Sequence, residues 1–351
     1  MKNINIYAVI LAGGNGERLW PLSTPEFPKQ FVSLFGGKPL IRHAADRLLD
    51  LIPVDHIFVV TADRFVGMTR KILPYLPKAN VIGEPCRRDT AAAVAVACGL
   101  VKKYGGDDAV GCILTADQLM TPVKEFRQTL KDAIKAAIKS SSVITMGIVP
   151  DKPATGFGYI EGGETSSLKL KTQFYVVKRF VEKPDKKTAL KYLKKGGFYW
   201  NSGMFIWRAG VLADAFSRTA PDIGALIDKV AKSKNIRSLL KNEYANIRAI
   251  SFDYAVMEKI DDILVAKSTF AWDDVGSWTS VANHFPKDDR ANVSIGETLM
   301  CDVSDSIVVS EGGHLTALMG VSDLVVVNVK GVTLVCSKNR AHDIKKLRSC
   351  H

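Results

Sequence analysis

Cysteine is sparse and follows no ligand spacing. Its six residues fall at 86, 98, 112, 301, 336 and 350, none in a C-x-x-C pair. That pattern offers no zinc site and reads as reduced, mostly buried thiols in a reducing compartment. No apolar stretch approaches the ~20 residues that cross a bilayer. The opening Met-Lys-Asn-Ile reaches a glycine turn too soon for a signal peptide and lacks a small-residue cleavage pattern. A cytoplasmic protein with no membrane partner is therefore expected. No G-x-x-x-x-G-K-[ST] occurs, and the dinucleotide fingerprint would need a third glycine where Leu19 stands. There is also no recognition-helix motif and no basic, aromatic-studded surface, so the net charge of +12 does not imply nucleic acid. That charge fits anionic partners, with phosphorylated metabolites remaining among them.

The 351 residues, 47% hydrophobic and 24% charged, suit one large domain plus a smaller one. Ile6 to Leu11 is a continuous apolar run ending in Gly13-Gly14, as a buried parallel strand would be. Ile57 to Val60, Val110 to Leu114 and Val143 to Met146 read as further strands. Helical spacing separates them at Leu40 to Leu49, Ala91 to Tyr104 and Phe126 to Ile138. This alternation predicts a mainly parallel sheet with right-handed crossovers, whose ligands bind at the carboxyl ends of strands. From Gly156 the pattern turns antiparallel, with strands at Phe157 to Glu161 and Phe174 to Glu182. Helices follow at Thr188 to Lys194 and Val211 to Lys232. After Pro286 short β-runs without a clean repeat predict a small all-β domain. The expected division is 1–285 and 293–351, with a boundary near 282–292.

The strongest motif is Leu11-Ala-Gly-Gly-Asn-Gly-Glu-Arg-Leu-Trp-Pro-Leu-Ser23, followed by Pro28-Lys29-Gln30-Phe31. Glycines 13, 14 and 16 after a buried strand let backbone N–H groups approach phosphate oxygens, with Arg18 and Lys29 adding cations. Glu84-Pro-Cys-Arg-Arg-Asp-Thr-Ala91 precedes a helix, and Asp89 or Thr90 is equally well explained as its N-cap. Asp117 ends a strand, where either a metal ligand or a turn-capping aspartate fits. Phe180-Val-Glu-Lys-Pro184 offers a carboxylate and an ammonium, or an edge-strand ion pair stopped by proline.

Together these segments resemble the sugar-nucleotide pyrophosphorylases, in order over residues 6 to 280. Trp-Pro-Leu-Ser and Pro-Lys-Gln-Phe are similar to the mannose-1-phosphate guanylyltransferase branch. The resemblance implies an α/β fold: a Rossmann-like, GT-A-like nucleotidyltransferase domain with a mixed, mainly parallel sheet, plus a small C-terminal β-rich domain. It implies catalytic roles for Arg18, Lys29, Asp117 and Lys183. Arg18 would grip the leaving diphosphate and Lys29 the phosphate under attack. Leu11, Gly13, Gly14, Gly16, Glu84, Arg88 and Thr90 would bind the nucleotide. Gly158, Tyr159, Glu182, Lys183 and Asn201, the last in a sugar-contacting turn within Trp200-Asn-Ser-Gly-Met-Phe205, would bind the sugar phosphate. Mg²⁺ would be held by Asp117 and by Asp274 in Trp272-Asp-Asp-Val-Gly-Ser-Trp278, whose two tryptophans read as core. Ser251-Phe-Asp-Tyr254 and the residues after it read as packing and pocket wall. Thr115 and Gln118 depart from the proline and histidine usual beside the family's aspartate.

The implied reaction is attack by the oxygen of mannose 1-phosphate on the α-phosphorus of GTP, with diphosphate leaving in line and no side-chain nucleophile. Catalysis would be positioning and charge neutralisation. A homo-oligomer, most simply a dimer, is expected. From its length, no isomerase domain like that of bifunctional relatives is expected within these 351 residues. The alternatives are the same transfer with another nucleotide, or with heptose or glucose 1-phosphate. A non-catalytic nucleotide-sugar sensor is a third reading, against which Arg18, Lys29, Asp117 and Asp274 all stand.

Overall fold

Apolar runs flanked by turn residues become the strands of one large sheet. The computed structural model describes residues 4–14 and 16–350. In chain order the first ten strands are β1 (Ile6–Ala12), β2 (Ile57–Ala62), β3 (Val81–Glu84), β4 (Val110–Thr115), β5 (Leu119–Thr121), β6 (Val143–Ile148), β7 (Tyr159–Thr165), β8 (Phe174–Val181), β9 (Phe198–Arg208) and β10 (Ile263–Lys267). Nine of them form a sheet ordered β3-β2-β1-β4-β9-β6-β10-β8-β7. It is parallel through β3, β2, β1 and β4 and again at β6 with β10, and antiparallel around β9 and toward β7.

Two compact units share the chain. The first runs through Gly13, Ala44–Ala116 and Met120–Trp272, and the second takes Gly14–His43, Asp117–Leu119 and the chain from Asp273 onward. The chain passes from the first unit to the second just after β1, just after β4 and within β11 (Ala271–Asp273), and returns between His43 and Ala44 and within β5.

In the first unit the helix Asp89–Gly105 is buried along Ala91 to Val101. A helix apolar on all sides belongs inside a core. Gly99 permits this: a Cβ there would lie 2.6 Å from Val230 Cβ and 2.8 Å from the Ile227 carbonyl of the helix Pro221–Lys232. The helix Val123–Lys139 is amphipathic and buries Phe126, Leu130, Ala133 and Ile134. Several expectations need correction. The helix expected over 211–232 is two, Ala209–Thr219 and Pro221–Lys232, because Pro221 has no amide to continue the first and suits the start of the second. Strands β3, β5, β10 and β11 are additional. The segment around Asn201 is not a turn but part of β9. There Gly203 at φ +73° accompanies a register shift opposite Thr145 to Gly147.

The second unit ends in β12 (Val293–Ile295), β13 (Thr298–Cys301), β14 (Ile307–Ser310), β15 (Thr316–Met319), β16 (Leu324–Val329) and β17 (Val332–Ser337). β12, β14 and β16 stack in parallel, β13 pairs in parallel with β15, and β17 closes the first stack antiparallel. This is a coil of successive turns. Val293 lies opposite Ile307 and Ile307 opposite Val325, so one turn takes 14 residues and the next 18. The unequal turns explain why no clean repeat is visible in the sequence. Inward-facing Val293, Ile307, Val309, Val325, Val327 and Val329 form a core with Leu19, Leu22 and Val32 from the glycine-rich segment and with Trp278.

Candidate active site

In the second unit, the glycine loop and two aspartates, Asp117 and Asp274, meet around one lysine. Gly16 adopts φ +59°, and a Cβ on it would collide with the backbone and Cβ of Lys29. Only glycine meets both conditions at no steric cost. The Ser23 hydroxyl donates to the Gly16 carbonyl at 2.5 Å, which closes the loop. Gly14 is exposed, with its Cβ position 3.9 Å from Asp117 Oδ2. Arg18 is exposed and Leu19, next to it, is fully buried.

Lys29 is 7% exposed. Its ammonium donates to Asp117 Oδ2 at 2.9 Å and to the Asp274 carbonyl. The neighbouring aspartates behave differently. The Asp273 carboxylate accepts from the Val275 amide at 2.7 Å and the Ser280 hydroxyl, and it pairs with His284 at 3.0 Å. Although burial pushes Asp273 up, these partners hold its carboxyl below the usual range. Asp274 is pushed above the usual range by burial, with Asp273 and Asp117 adding to the effect and Lys29 opposing it. Gly276 lets that carboxylate fold back against the chain, since a Cβ there would lie 2.6 Å from Asp274 Oδ2. Asp273 is thus a structural anchor, and Asp274 and Asp117 are the carboxylates left for a ligand. Sequence reasoning passed over Asp273, for which the doubled acid in Trp272-Asp-Asp was the only signal. Trp278 is fully buried, as expected, but Trp272 is only half-buried, 5.2 Å from the Phe157 ring.

In the first unit, Leu11 is partly buried near the end of β1, between Val60 and Thr115 in register. The Cβ position of Gly13 lies 3.5 Å from Glu84 Oε2. Burial pushes the Glu84 carboxyl up, against the Tyr244 hydroxyl, which donates to it. Arg88 donates to the Ala245 carbonyl, while its buried Nε has no partner among the described residues. Neither Asp89 nor Thr90 is an N-cap here. Asp89 sits at φ +60° and accepts from the Thr90 amide. The Thr90 hydroxyl instead accepts from the Phe252 amide at 2.8 Å. Thr90 therefore holds the 250–252 segment, a role not legible locally.

Gly158, Glu182 and Asn201 converge. A Cβ on Gly158 would lie 2.7 Å from Glu182 Oε2 and 3.6 Å from Asn201 Cβ. The Lys183 ammonium, exposed and on a φ +42° backbone, donates to Glu182 Oε1 at 2.5 Å. Asn201 Nδ2 donates to Asp253 Oδ1 at 2.7 Å, and its Oδ1 accepts from Gly203. Burial, followed by the nearby Glu182 carboxylate, pushes Asp253 up to about 6. Asp253 was not singled out from sequence, because its partner lies 52 residues away. Tyr159 opens β7, opposite Val181 and Trp200 in register. Its side chain is fully buried beside Tyr192, with no partner for its hydroxyl among the described residues.

The chain is similar to known proteins along most of its length. A nucleotidyl transferase family model matches residues 7–290, and a MannoseP isomerase/GMP-like beta-helix domain model matches residues 296–348. The chain is 36% identical to mannose-1-phosphate guanylyltransferase 2 of Escherichia coli O157:H7, over 99% of this chain and 73% of that protein. It is 35% identical to the mannose-1-phosphate guanylyltransferase of E. coli K12, with the same coverage. A crystal structure from Thermus thermophilus, described as a mannose-1-phosphate geranyltransferase, superposes with a TM-score of 0.88. It is 32% identical, and the match covers 99% of both chains. No helix among the described residues is long and apolar enough to cross a membrane.

Proposed function

We propose that this chain, which belongs to the nucleotidyl transferase family and to its mannose-1-phosphate guanylyltransferase branch, transfers GMP from GTP to α-D-mannose 1-phosphate. The products are GDP-mannose and diphosphate. The carrying observation is Lys29, buried behind the glycine loop and set on Asp117 and Asp274. That cluster offers charge control for anionic phosphates and no side-chain nucleophile.

An ionised oxygen of the sugar phosphate forms the new bond to the α-phosphorus as the bond to the leaving diphosphate breaks. Such a transfer is driven by alignment and charge neutralisation. Loop amides and Arg18 bind the leaving diphosphate, and Lys29 the phosphate under attack. Glu84 and Arg88 face the base, while Glu182 and Asn201 take sugar hydroxyls and Lys183 the sugar phosphate. Asp117 and Asp274 fit a divalent cation, and Mg²⁺ in particular. Two carboxylates, one of them raised by burial and by the neighbouring aspartates, suit an ion that keeps waters and substrate phosphates as its other ligands. When bound, Mg²⁺ supplies charge neutralisation between the two anionic substrates.

Residues 1–285 form the catalytic domain and 293–351 a β-rich domain, a division supported by the separate family-model matches at 7–290 and 296–348. Free thiols at Cys86, Cys98, Cys112, Cys301 and Cys336 suit a reducing, cytoplasmic setting. The exposed apolar side chains Leu299 and Met319, on β13 and β15, suit burial in a homodimer. Diphosphate release across a grid of nucleoside triphosphates and sugar 1-phosphates tests the substrate pair. GTP with mannose 1-phosphate should give the highest kcat/KM. An unmatched buried polar group costs about 1–3 kcal/mol, so ATP, and separately glucose 1-phosphate, should fall roughly ten- to hundredfold. A better rate with dTTP and glucose 1-phosphate would reject the assignment.

A further inference from the structure

A cavity lies within the first unit, beside edge strand β3. It encloses about 510 Å³, within the range of sites that hold small ligands. Four cationic side chains line it, Arg70, Lys103, Lys234 and Arg237, against one carboxylate, Asp63. Their charges are only partly spent. Arg70 donates its Nε and one Nη to the Lys78 carbonyl, which leaves the other Nη. Lys103 donates to the Ser233 carbonyl at 2.6 Å. Arg237, with its side chain 83% exposed, stands 3.5 Å from Asp63, and Lys234 is exposed. The lining also includes Tyr104, 50% exposed, whose ring stacks on Phe58 at 5.5 Å and 22°. A fixed aromatic ring beside a group of cations is the combination that binds a base and its phosphates.

The walls give the cavity a connection. One is Val81, Ile82 and Gly83, and the next residue is Glu84. The other is the first turn of the helix Ile236–Glu243, which ends at Tyr244. The Tyr244 hydroxyl donates to Glu84. The two elements bounding the cavity therefore deliver the two partners of a single hydrogen bond.

We propose that this cavity is a second nucleoside-phosphate site, coupled through its walls to the Glu84–Tyr244 pair. The base stacks on Tyr104, and the phosphates bind Arg70, Lys234 and Arg237. A ligand that changes the spacing of the walls changes the presentation of Glu84, which meets the requirement that coupled sites share an element both of them bias. The proposal rests on the reading above only for the choice of guanine and for Glu84 facing the substrate base.

GDP is the probe, in equilibrium dialysis with the full chain. The wild type should bind two GDP per chain. The double variant Lys234→Glu/Arg237→Glu, with its fold checked by circular dichroism, should bind one and keep its turnover in the absence of GDP. Affinity at the second site should drop on the order of tenfold or more, as loss of charge-assisted contacts implies. Tyr104→Ala should weaken GDP at that site about tenfold through lost stacking and leave inorganic diphosphate binding unchanged. GDP should inhibit the wild type more steeply than one-site competition, and the double variant by one-site competition alone. One GDP per wild-type chain, or two on the double variant, overturns the site. Unchanged GDP affinity in Tyr104→Ala overturns its nucleoside character. One-site inhibition in both proteins overturns the coupling. Absence of GTP-dependent diphosphate release with two GDP still bound would instead sink the catalytic reading.

Discussion

At the residue scale, charge arrangement decides which groups do chemistry. Asp273 and Asp274 are adjacent, yet His284, Ser280 and the Val275 amide occupy the first, and Lys29 approaches the carbonyl of the second. Asp117→Asn and Asp274→Asn should keep the fold and cut turnover on the order of 10²-fold or more, the usual loss when a main charge stabiliser is removed. Asp273→Asn should chiefly lower thermal stability. Steady-state rates beside melting curves separate the two outcomes, and normal turnover in both Asp117→Asn and Asp274→Asn would remove them from the mechanism. Asp253 carries a pH signature. Its carboxyl is raised from 3.8 to about 6, so the fold prefers the protonated form. Its stabilising contribution is complete at acid pH and is lost as pH rises through about 6. Asp253→Asn keeps an acceptor for Asn201 Nδ2 without the charge. Its Tm should therefore exceed that of the wild type at neutral pH, and the gap should close on acidification. A constant gap across the titration would exclude Asp253 as the titrating group.

At the scale of elements, the terminal coil is held by corners in register. Ala291, Asp305 and Asp323 all have positive φ, at +62°, +48° and +56°. They follow the same 14- and 18-residue offsets that separate β12, β14 and β16. Asp302 and Gly320, at +51° and +66°, repeat the device once more. A left-handed residue costs a side chain roughly 1–2 kcal/mol, and a β-branched one is worst placed to bear it. Asp323→Gly should leave the urea midpoint almost unchanged, and Asp323→Val should lower it. Equal midpoints would show that the corner is not conformationally demanding. These positions also show what an unequal coil hides: the repeat lies in backbone conformation and inward valines, not in a fixed period.

At the scale of the whole molecule, the terminal coil is joined to the glycine-rich segment by a common core. Leu19, Leu22 and Val32 share a cluster with Val309, Val327 and Leu334. Deletion of large buried side chains costs about 2–5 kcal/mol each, and a chain ending at Phe285 loses several of these partners together. It should lose cooperative melting of the glycine loop and turnover with it, which proteolysis at Arg18 and a rate assay would detect. A truncated chain that melts as sharply as the full one and turns over normally would assign the coil no part in supporting the loop.

The sequence by itself determined what is encoded locally. The run from Ile6 to Leu11 breaking into glycine specifies a buried strand followed by a glycine turn. The motif order over residues 6 to 280 specifies the family, and apolar periodicity specifies most of the helices. Backbone sterics and burial act within a few residues, so these features needed no knowledge of neighbours. Tertiary structure alone decided that Tyr244 meets Glu84 across 160 residues and that Asp253 meets Asn201 across 52. It also moved Thr90 from helix cap to clamp on Phe252 and made Asn201 part of a strand. Those outcomes follow from sheet order and crossover packing, which bring together residues whose own neighbours in the chain carry no trace of the contact.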